Sequence, residues 1–234
     1  MAGVIGLRGP DIDKRDALRG YKIVWKDADR PIVRPHTGLP VLRLADGKPV
    51  VERHVFGFSK KYSSFNARAD RLEESNMWMK MFGKSHGVAP VSYILEWADM
   101  GDGKKPYRIE RADGAAMAVP ALVGGYWEDR KERAFALVTV EPNGFFAKFH
   151  DRMVGQLADD QIDVWLHPEA HDTKALFMAM KSGLDDELLA YPISPKVGSA
   201  DENDASALEA IGPPVANADL APKKAAKKAT QAKL

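Results

Sequence analysis

The amino-acid sequence predicts an α+β fold in which a curved, largely antiparallel β-sheet or barrel carries a few peripheral helices. Three observations lead there. Short runs rich in β-branched and aromatic residues, bounded by turn residues, fall at 21–25, 39–44, 50–58, 88–97, 107–110, 116–126 and 135–140. Between several of them stand Ala45-Asp46-Gly47, the segment 100–106 and Ala112-Asp113-Gly114, hairpin chemistry in which Gly is free to take a positive φ, so antiparallel pairing is expected. Apolar residues at helical spacing occur at 69–81, 159–166, 171–180 and 185–190, with Asp or Thr near the starts where a cap helps. No internal repeat of about 20 to 50 residues is present, which argues against a solenoid or propeller.

Composition then narrows the function classes. A chain of 234 residues buries a full hydrophobic core without covalent staples. Lys and Arg number 34 against 33 Asp and Glu, so the net charge of +1 names no partner. The absence of cysteine excludes disulfides, thiolate zinc sites, iron–sulfur clusters and cysteine nucleophiles. No stretch nears the roughly 18 to 20 apolar residues of a membrane span, and the first residues do not form a signal peptide. A soluble, cytoplasmic protein without membrane contact is expected, with monomer as the default. Near Ile211 the composition changes, and a periodic, aromatic-bearing sequence gives way to one with no aromatic and few large aliphatics. The expected organisation is one domain over residues 1–212 and a disordered, Lys-rich tail over 213–234. Lys223, Lys224, Lys227, Lys228 and Lys233 face only Asp219 there, which puts about +4 on the tail and about −3 on the body.

Several chemistries have no motif. There is no Gly-rich phosphate loop, since Gly3, Gly6 and Gly9 are spaced by three, and a nucleotide cofactor is not expected. The hydrolase nucleophile elbow is absent as well. His167 and His171 stand four apart around Glu169, but Pro168 breaks the helix that would align them and no third ligand is evident, so the site is expected to hold no metal.

Three polar clusters lie in apolar or aromatic surroundings: Phe65 to Asp70, Pro90 to Trp97, and Phe149 to Met153. Each alone has an ordinary structural explanation. Asn66 suits a cap, Glu96 a strand end, and His150 a histidine bonded to its own turn. In this order, however, Asn66-Ala67-Arg68-Ala69-Asp70, the segment 90–97 ending in Glu96-Trp97, Tyr126-Trp127-Glu128, Thr139-Val140-Glu141-Pro142-Asn143, His150-Asp151-Arg152-Met153 and Tyr191-Pro192-Ile193-Ser194 closely resemble the motifs of the SRAP family, the SOS response-associated peptidases that sense abasic sites in single-stranded DNA. The segment from Arg34 to Arg43 resembles a further family segment upstream, and the resemblance runs over roughly residues 1–205.

The resemblance implies an SRAP-like fold and a particular chemistry. In the family, removal of methionine exposes a cysteine whose α-amine attacks the aldehyde of an abasic site, and whose thiol then closes a stable thiazolidine crosslink. It further implies that Asn66 orients amine and sugar, Glu96 moves the proton during ring opening, and His150 assists imine chemistry or its reversal. The residue types suit these tasks, because imine formation needs proton transfer and a buried carboxylate or imidazole is tuned toward neutral pH. Arg68 and Arg152 would hold phosphates, and Trp97 would stack or wedge at the lesion. Single-stranded or junction DNA with abasic sites is the implied partner, with nucleoid association if DNA binding is retained. This chain departs from the pattern at the residues that matter most. Ala2 stands at the family's cysteine, Val4 at its arginine, and Ser92-Tyr93-Ile94 where the family has Asp-Gly-Phe. Thiazolidine formation is thereby excluded, and at most a transient Schiff base or lyase step from the Ala2 α-amine remains. The alternatives are a non-catalytic single-stranded-DNA-binding module and a protein-interaction module that keep the fold. Lys223, Lys224, Lys227 and Lys228 would add sequence-independent, salt-sensitive affinity for nucleic acid.

Overall fold

Alternating apolar residues and tight turns build a closed barrel packed against a second sheet. The structure, a computed structural model, describes residues 3–22, 24–25, 28–58, 64–99, 101, 103–126, 132–184, 187–201 and 203–215. Its strands in chain order are β1 Val4–Leu7, β2 Arg30–Val33, β3 Gly38–Ala45, β4 Lys48–Phe56, β5 Asn66–Arg68, β6 His86–Val91, β7 Tyr93–Asp99, β8 Lys104–Arg111, β9 Met117–Tyr126, β10 Arg133–Val140, β11 Met153–Val154 and β12 Leu188–Pro192. The α-helices are short: α1 Gly9–Asp13, α2 Asp16–Arg19, α3 Ile162–Leu166 and α4 Thr173–Ala179.

Strands β10, β4, β3, β6 and β9 pair in that order, and β9 returns to β10, which closes a five-stranded barrel. The β3–β4 hairpin turns through Asp46 and Gly47, at φ 50° and 71°, the two left-handed residues that a two-residue hairpin of the right twist requires. A barrel this narrow has little room inside. A Cβ on Gly87 would stand 2.8 Å from Val41 Cγ1 and 2.9 Å from Val123 Cγ2, so only glycine fits there. Phe56 stacks on Phe135 at 5.3 Å between ring centroids within the same interior. Outside the barrel, α3 lays Trp165 over β6, where its Nε1 donates to the Gly87 carbonyl at 2.9 Å and its ring stacks on His86 at 3.8 Å.

The second sheet is antiparallel, in the order β12, β8, β7, β1, β2. The segment 88–97, which reads as one strand, is two. The chain bends at Ser92, whose N–H donates to Gly6 O and whose hydroxyl accepts from Arg8 N–H, both at 2.9 Å, and it passes there from barrel to sheet. One face of this sheet joins the main core through Ile5, Ile94, Tyr107 and Ile109; the other carries a smaller cluster of Ile32, Tyr93, Leu95, Ile193, Val197 and Leu208. Among the described residues no helix is long and apolar enough to cross a membrane.

Four expectations need correction. The described residues among 21–25 form no strand: Lys22 adopts φ 52°, which breaks an extended run, and the Tyr21 hydroxyl is tied instead to Asp163 ahead of Trp165. Residues 69–81 are not one helix but two 3-10 turns, Ala69–Arg71 and Trp78–Lys80. Ser75 between them offers its hydroxyl to Trp78 N–H at 3.4 Å, the local competition that makes serine a poor interior helix residue. Of residues 185–190, the first two lie outside the described residues, while Leu188–Pro192 pair with β8, edge pairing having overridden the helical spacing. Ala112-Asp113-Gly114 makes a turn, with Gly114 at φ 68°, but it carries the chain from β8 to β9 in the other sheet and closes no hairpin. The residues after Val215, including Lys223, Lys224, Lys227 and Lys228, lie outside the described residues.

His86 makes the barrel's outer wall sensitive to acid. Its Nε2 accepts from Gly83 N–H at 3.0 Å and its Nδ1–H donates to Trp165 O at 2.8 Å, so the neutral ring is the form that fits. Burial pushes its pKa down to about 4, with the Trp165 carbonyl opposing. The unfolded chain takes up this proton below about 6.5 and the folded one only near 4, so the contribution is complete above 6.5 and lost as pH falls between the two. Urea unfolding should show a loss on the order of 3 kcal/mol from this residue between pH 7 and 4, and the loss should shrink in His86→Phe. An equal pH dependence in the variant would contradict the assignment.

Candidate functional site

Strand β10 gathers two of the three clusters because its two edges are completed by short segments from elsewhere. On one edge β5 adds in parallel, with Asn66 opposite Leu137 and Arg68 opposite Thr139. On the other β11 adds antiparallel, with Val154 opposite Thr139 and Met153 opposite Val140. Arg152 is thereby drawn inward. It is 8% exposed, its Nη2 donates to the Thr139 carbonyl at 2.5 Å, and the same nitrogen lies 3.3 Å from Asp70 Oδ1. Arg68, on the outside, grips Asp70 with Nε at 3.1 Å and Nη2 at 2.6 Å. The Arg68 hydrogen bond, with Arg152 adding its charge against a small desolvation cost, holds the Asp70 carboxyl down to about 2. Asn66 is buried beside this chain of charges.

The third cluster arrives from the other sheet. Glu96 on β7 faces Tyr107 on β8, and the Tyr107 ring meets Phe149 edge-on at 5.4 Å, which packs the turn leading to His150 against that pair of strands. Glu96 is buried, and burial pushes its carboxyl up to about 7; the N-terminal ammonium and Lys104 pull the other way, and Asp151 adds to the rise. Such a carboxyl is poised to give or take a proton at neutral pH. The sheet register also sets where β1 begins. Val4 pairs with Leu95, so Gly3 enters β1 beside Glu96; Ala2 itself lies outside the described residues.

His150 has two claims on one atom. Its Nδ1 is 2.7 Å from Asp151 Oδ1, a contact that needs a proton on the nitrogen, and 3.0 Å from Arg152 N–H, a contact that needs its lone pair. Asp151 also bears electrostatically on Glu96, Arg68 and Arg152, so its charge is felt in each of the three clusters.

Trp97 does not join them. As the neighbour of Glu96 on a regular strand it points to the opposite face, where it packs with Val4 and Ala200 against the smaller cluster. Trp127 and Glu128 lie outside the described residues. Sequence reasoning gave no role to Asp70, Asp151, Tyr107 or Phe149; only the position of Asp70 two residues after Arg68 could have signalled its pairing. Among the described residues no group of three or more His, Asp or Glu is placed to hold a metal ion.

Comparison with known proteins decides the family. Residues 33–200 match the sequence model of the SOS response associated peptidases, SRAP. The chain belongs to the SRAP family. Over 144 residues it is 31% identical to an abasic site processing protein of Saccharomyces cerevisiae, a match covering 59% of this chain and 39% of that one. It is 28% identical over 152 residues to the abasic site processing protein YoaM of Bacillus subtilis, covering 64% of this chain and 67% of that one. The match therefore spans about two-fifths of the yeast protein's length. A crystal structure of a protein from Bacteroides thetaiotaomicron superimposes with a TM-score of 0.65 at 17% identity, over 90% of this chain and 97% of that one, and shows the same fold. The α+β architecture expected of an SRAP chain is what the strands and helices above form.

The two arginines of this SRAP site differ in burial, and that difference is measurable. Arg152→Ala should lower unfolding stability by about 3 kcal/mol, because the Thr139 carbonyl and Asp70 lose their buried partner. Arg68→Ala should leave the thermal midpoint essentially unchanged, its side chain being exposed. Equal midpoint shifts in the two variants would reject this division of roles.

Proposed function

We propose that this SRAP chain acts in the processing of abasic sites in DNA, binding them in single-stranded DNA and forming at most a transient Schiff base through the α-amine of Ala2. The observation that carries the reading is Glu96, a buried carboxyl raised to about 7 at the point where β1 begins. The abasic-site processing named for the yeast and Bacillus relatives supports the substrate class. In this reading the neutral amine adds to the C1′ aldehyde, a C–N bond forms, and the carbonyl oxygen becomes a hydroxyl. Protonated Glu96 gives its proton to that hydroxyl, which leaves as water, and the iminium remains. Ala2 has no thiol to add next, so the imine either takes water back and releases the aldehyde, or loses a C2′ proton to a base and expels the 3′ phosphate. Asn66 orients the sugar and His150 assists the proton movements; Arg68 is the exposed guanidinium for a flanking phosphate, while buried Arg152 holds Asp70 and β10 in place. Lys223, Lys224, Lys227 and Lys228 add salt-dependent affinity for any strand.

Borohydride trapping on a single-stranded oligonucleotide with one abasic site, beside an intact strand and beside protein that retains Met1, tests this reading. A reductant-dependent adduct mapped to the α-amine of Ala2 is expected. Glu96→Gln should slow adduct formation by about 100-fold. The rate should pass through a maximum near neutral pH, because Glu96 is an acid only below about 7 whereas a chain α-amine is nucleophilic only as pH rises toward about 8. No adduct, with equal binding of damaged and intact strands, would leave a non-catalytic module with the SRAP fold.

A further inference from the structure

Arg68 is the exposed guanidinium of the site, yet its direction is not left to solvent. Asp70 takes it side-on in a two-bond fork: Nε donates to Oδ1 at 3.1 Å and Nη2 to Oδ2 at 2.6 Å. Two residues of separation allow this because Arg68 is extended, at ψ 125°, and the 3-10 turn Ala69–Arg71 follows it at once. The carboxylate is itself held from behind. Arg152 Nη2 lies 3.3 Å from the same Oδ1, and that nitrogen also donates to the Thr139 carbonyl in β10. A chain of contacts thus runs from the barrel wall through Arg152 and Asp70 to Arg68 at the surface. We propose that Asp70 is a positioning residue for strand binding, fixing the Arg68 guanidinium so that its Nη1–Nη2 end, not its Nε edge, takes a backbone phosphate. This rests on the strand-binding part of the reading above and is independent of the imine chemistry.

The donor inventory of the guanidinium supports this division. Of its five N–H groups, Asp70 engages the Nε–H and one hydrogen of Nη2, so every donor left over lies at the Nη1–Nη2 end. Among the described residues no hydrogen bond engages Nη1 of Arg68. An isolated exposed ion pair would hold a long side chain poorly, since its gain barely offsets the freedom lost. Here the pair is bidentate and its carboxylate is shared with a second, buried guanidinium, the circumstances in which such a pair keeps one geometry. Charge alone argues the other way. Asp70 is an anion where a polyanion is to bind, and a neutral residue in its place would attract the strand more strongly. An orienting carboxylate and a repelling one therefore have opposite consequences for what Arg68 contributes.

The test compares the natural full chain with Arg68→Ala, Asp70→Asn and the double variant. Each binds a single-stranded oligonucleotide carrying one tetrahydrofuran residue, an abasic analogue with no aldehyde, at one fixed salt concentration. Asp70→Asn is chosen because its side-chain oxygen can keep Arg152, while its NH2 group meets Arg68 Nη2 donor against donor and opens the fork. Arg68→Ala should weaken binding about tenfold in the natural background and less than about threefold in the Asp70→Asn background. Arg68→Lys, which keeps the charge and loses the fork, should weaken it nearly as much as Arg68→Ala. Without DNA, nitrogen-15 spectra of the arginine side chains should show slow rotation of Arg68 about its Nε–Cζ bond in the natural protein and fast rotation in Asp70→Asn. Equal losses from Arg68→Ala in the two backgrounds would overturn the proposal. A larger loss in the Asp70→Asn background would overturn it too, marking Asp70 as a competitor for Arg68. Slow rotation in the natural protein, with Arg68→Ala binding as tightly in either background, would keep Asp70 as the residue that orients Arg68 and reject the strand-binding reading instead.

Discussion

Two of the three polar clusters owe their meeting to the hydrogen-bonding obligation of one strand. β10 closes the barrel through β9 and β4, but neither neighbour runs its whole length: β4 reaches it only at Ala134 and Phe135, and β9 pairs no further than Leu137. The N–H and C=O groups beyond that point lie in the interior and cannot be left without partners. Asn66–Arg68 and Met153–Val154 satisfy them, one segment on each edge. The requirement to complete a ladder thus brings residues more than eighty positions apart into one place. Arg152 serves the same end, since its guanidinium satisfies the Thr139 carbonyl directly.

The acid of the site follows from a second constraint, the bend at Ser92. Because the chain leaves the barrel there and enters the other sheet, Glu96 lies on a strand whose inner face belongs to the main core. A carboxylate in such surroundings is disfavoured relative to its neutral form, and its proton affinity rises. Glu96 is therefore not made acidic or basic by a single partner. It is tuned by the burial that the fold imposes, and its charged surroundings trim the result.

How much of this was legible in the sequence differs between fold and site for physical reasons. The hairpin of β3 and β4 was readable because Asp46-Gly47 is local chemistry, and the alternation on either side of it is long enough to set a period. β1 and β2 were not, since four residues carry too little alternation to tell a strand from a loop. The segment 69–81 misled because Ala69 with Leu72, and Trp78 with Met81, bury their side chains three apart as a helix would, while two 3-10 turns satisfy the same burial. For the site, Asn66, Glu96 and His150 were found as residue types in recognisable order. Their convergence was not visible, because it is set by register across two sheets and by the contact of Tyr107 with Phe149. The direction of Trp97 was available from strand period alone, which places it on the face opposite Glu96.

The departures from the family pattern are built into their surroundings. Val4, where the family has an arginine, packs with Trp97 and Ala200 against the smaller cluster, an environment that would leave a guanidinium poorly solvated. Tyr93, from the altered segment, lies across β1 so closely that a Cβ on Gly6 would stand 2.1 Å from its ring, and its hydroxyl donates to Pro31 O at 2.8 Å. Its ring carries Arg8 on one side, 5.2 Å from the centroid, and Arg8 in turn bonds Asp11 and Glu110. Ser92 fixes β1 through the Arg8 N–H. The sheet register therefore still sets Gly3 beside the buried Glu96, whatever residues stand on either side of it.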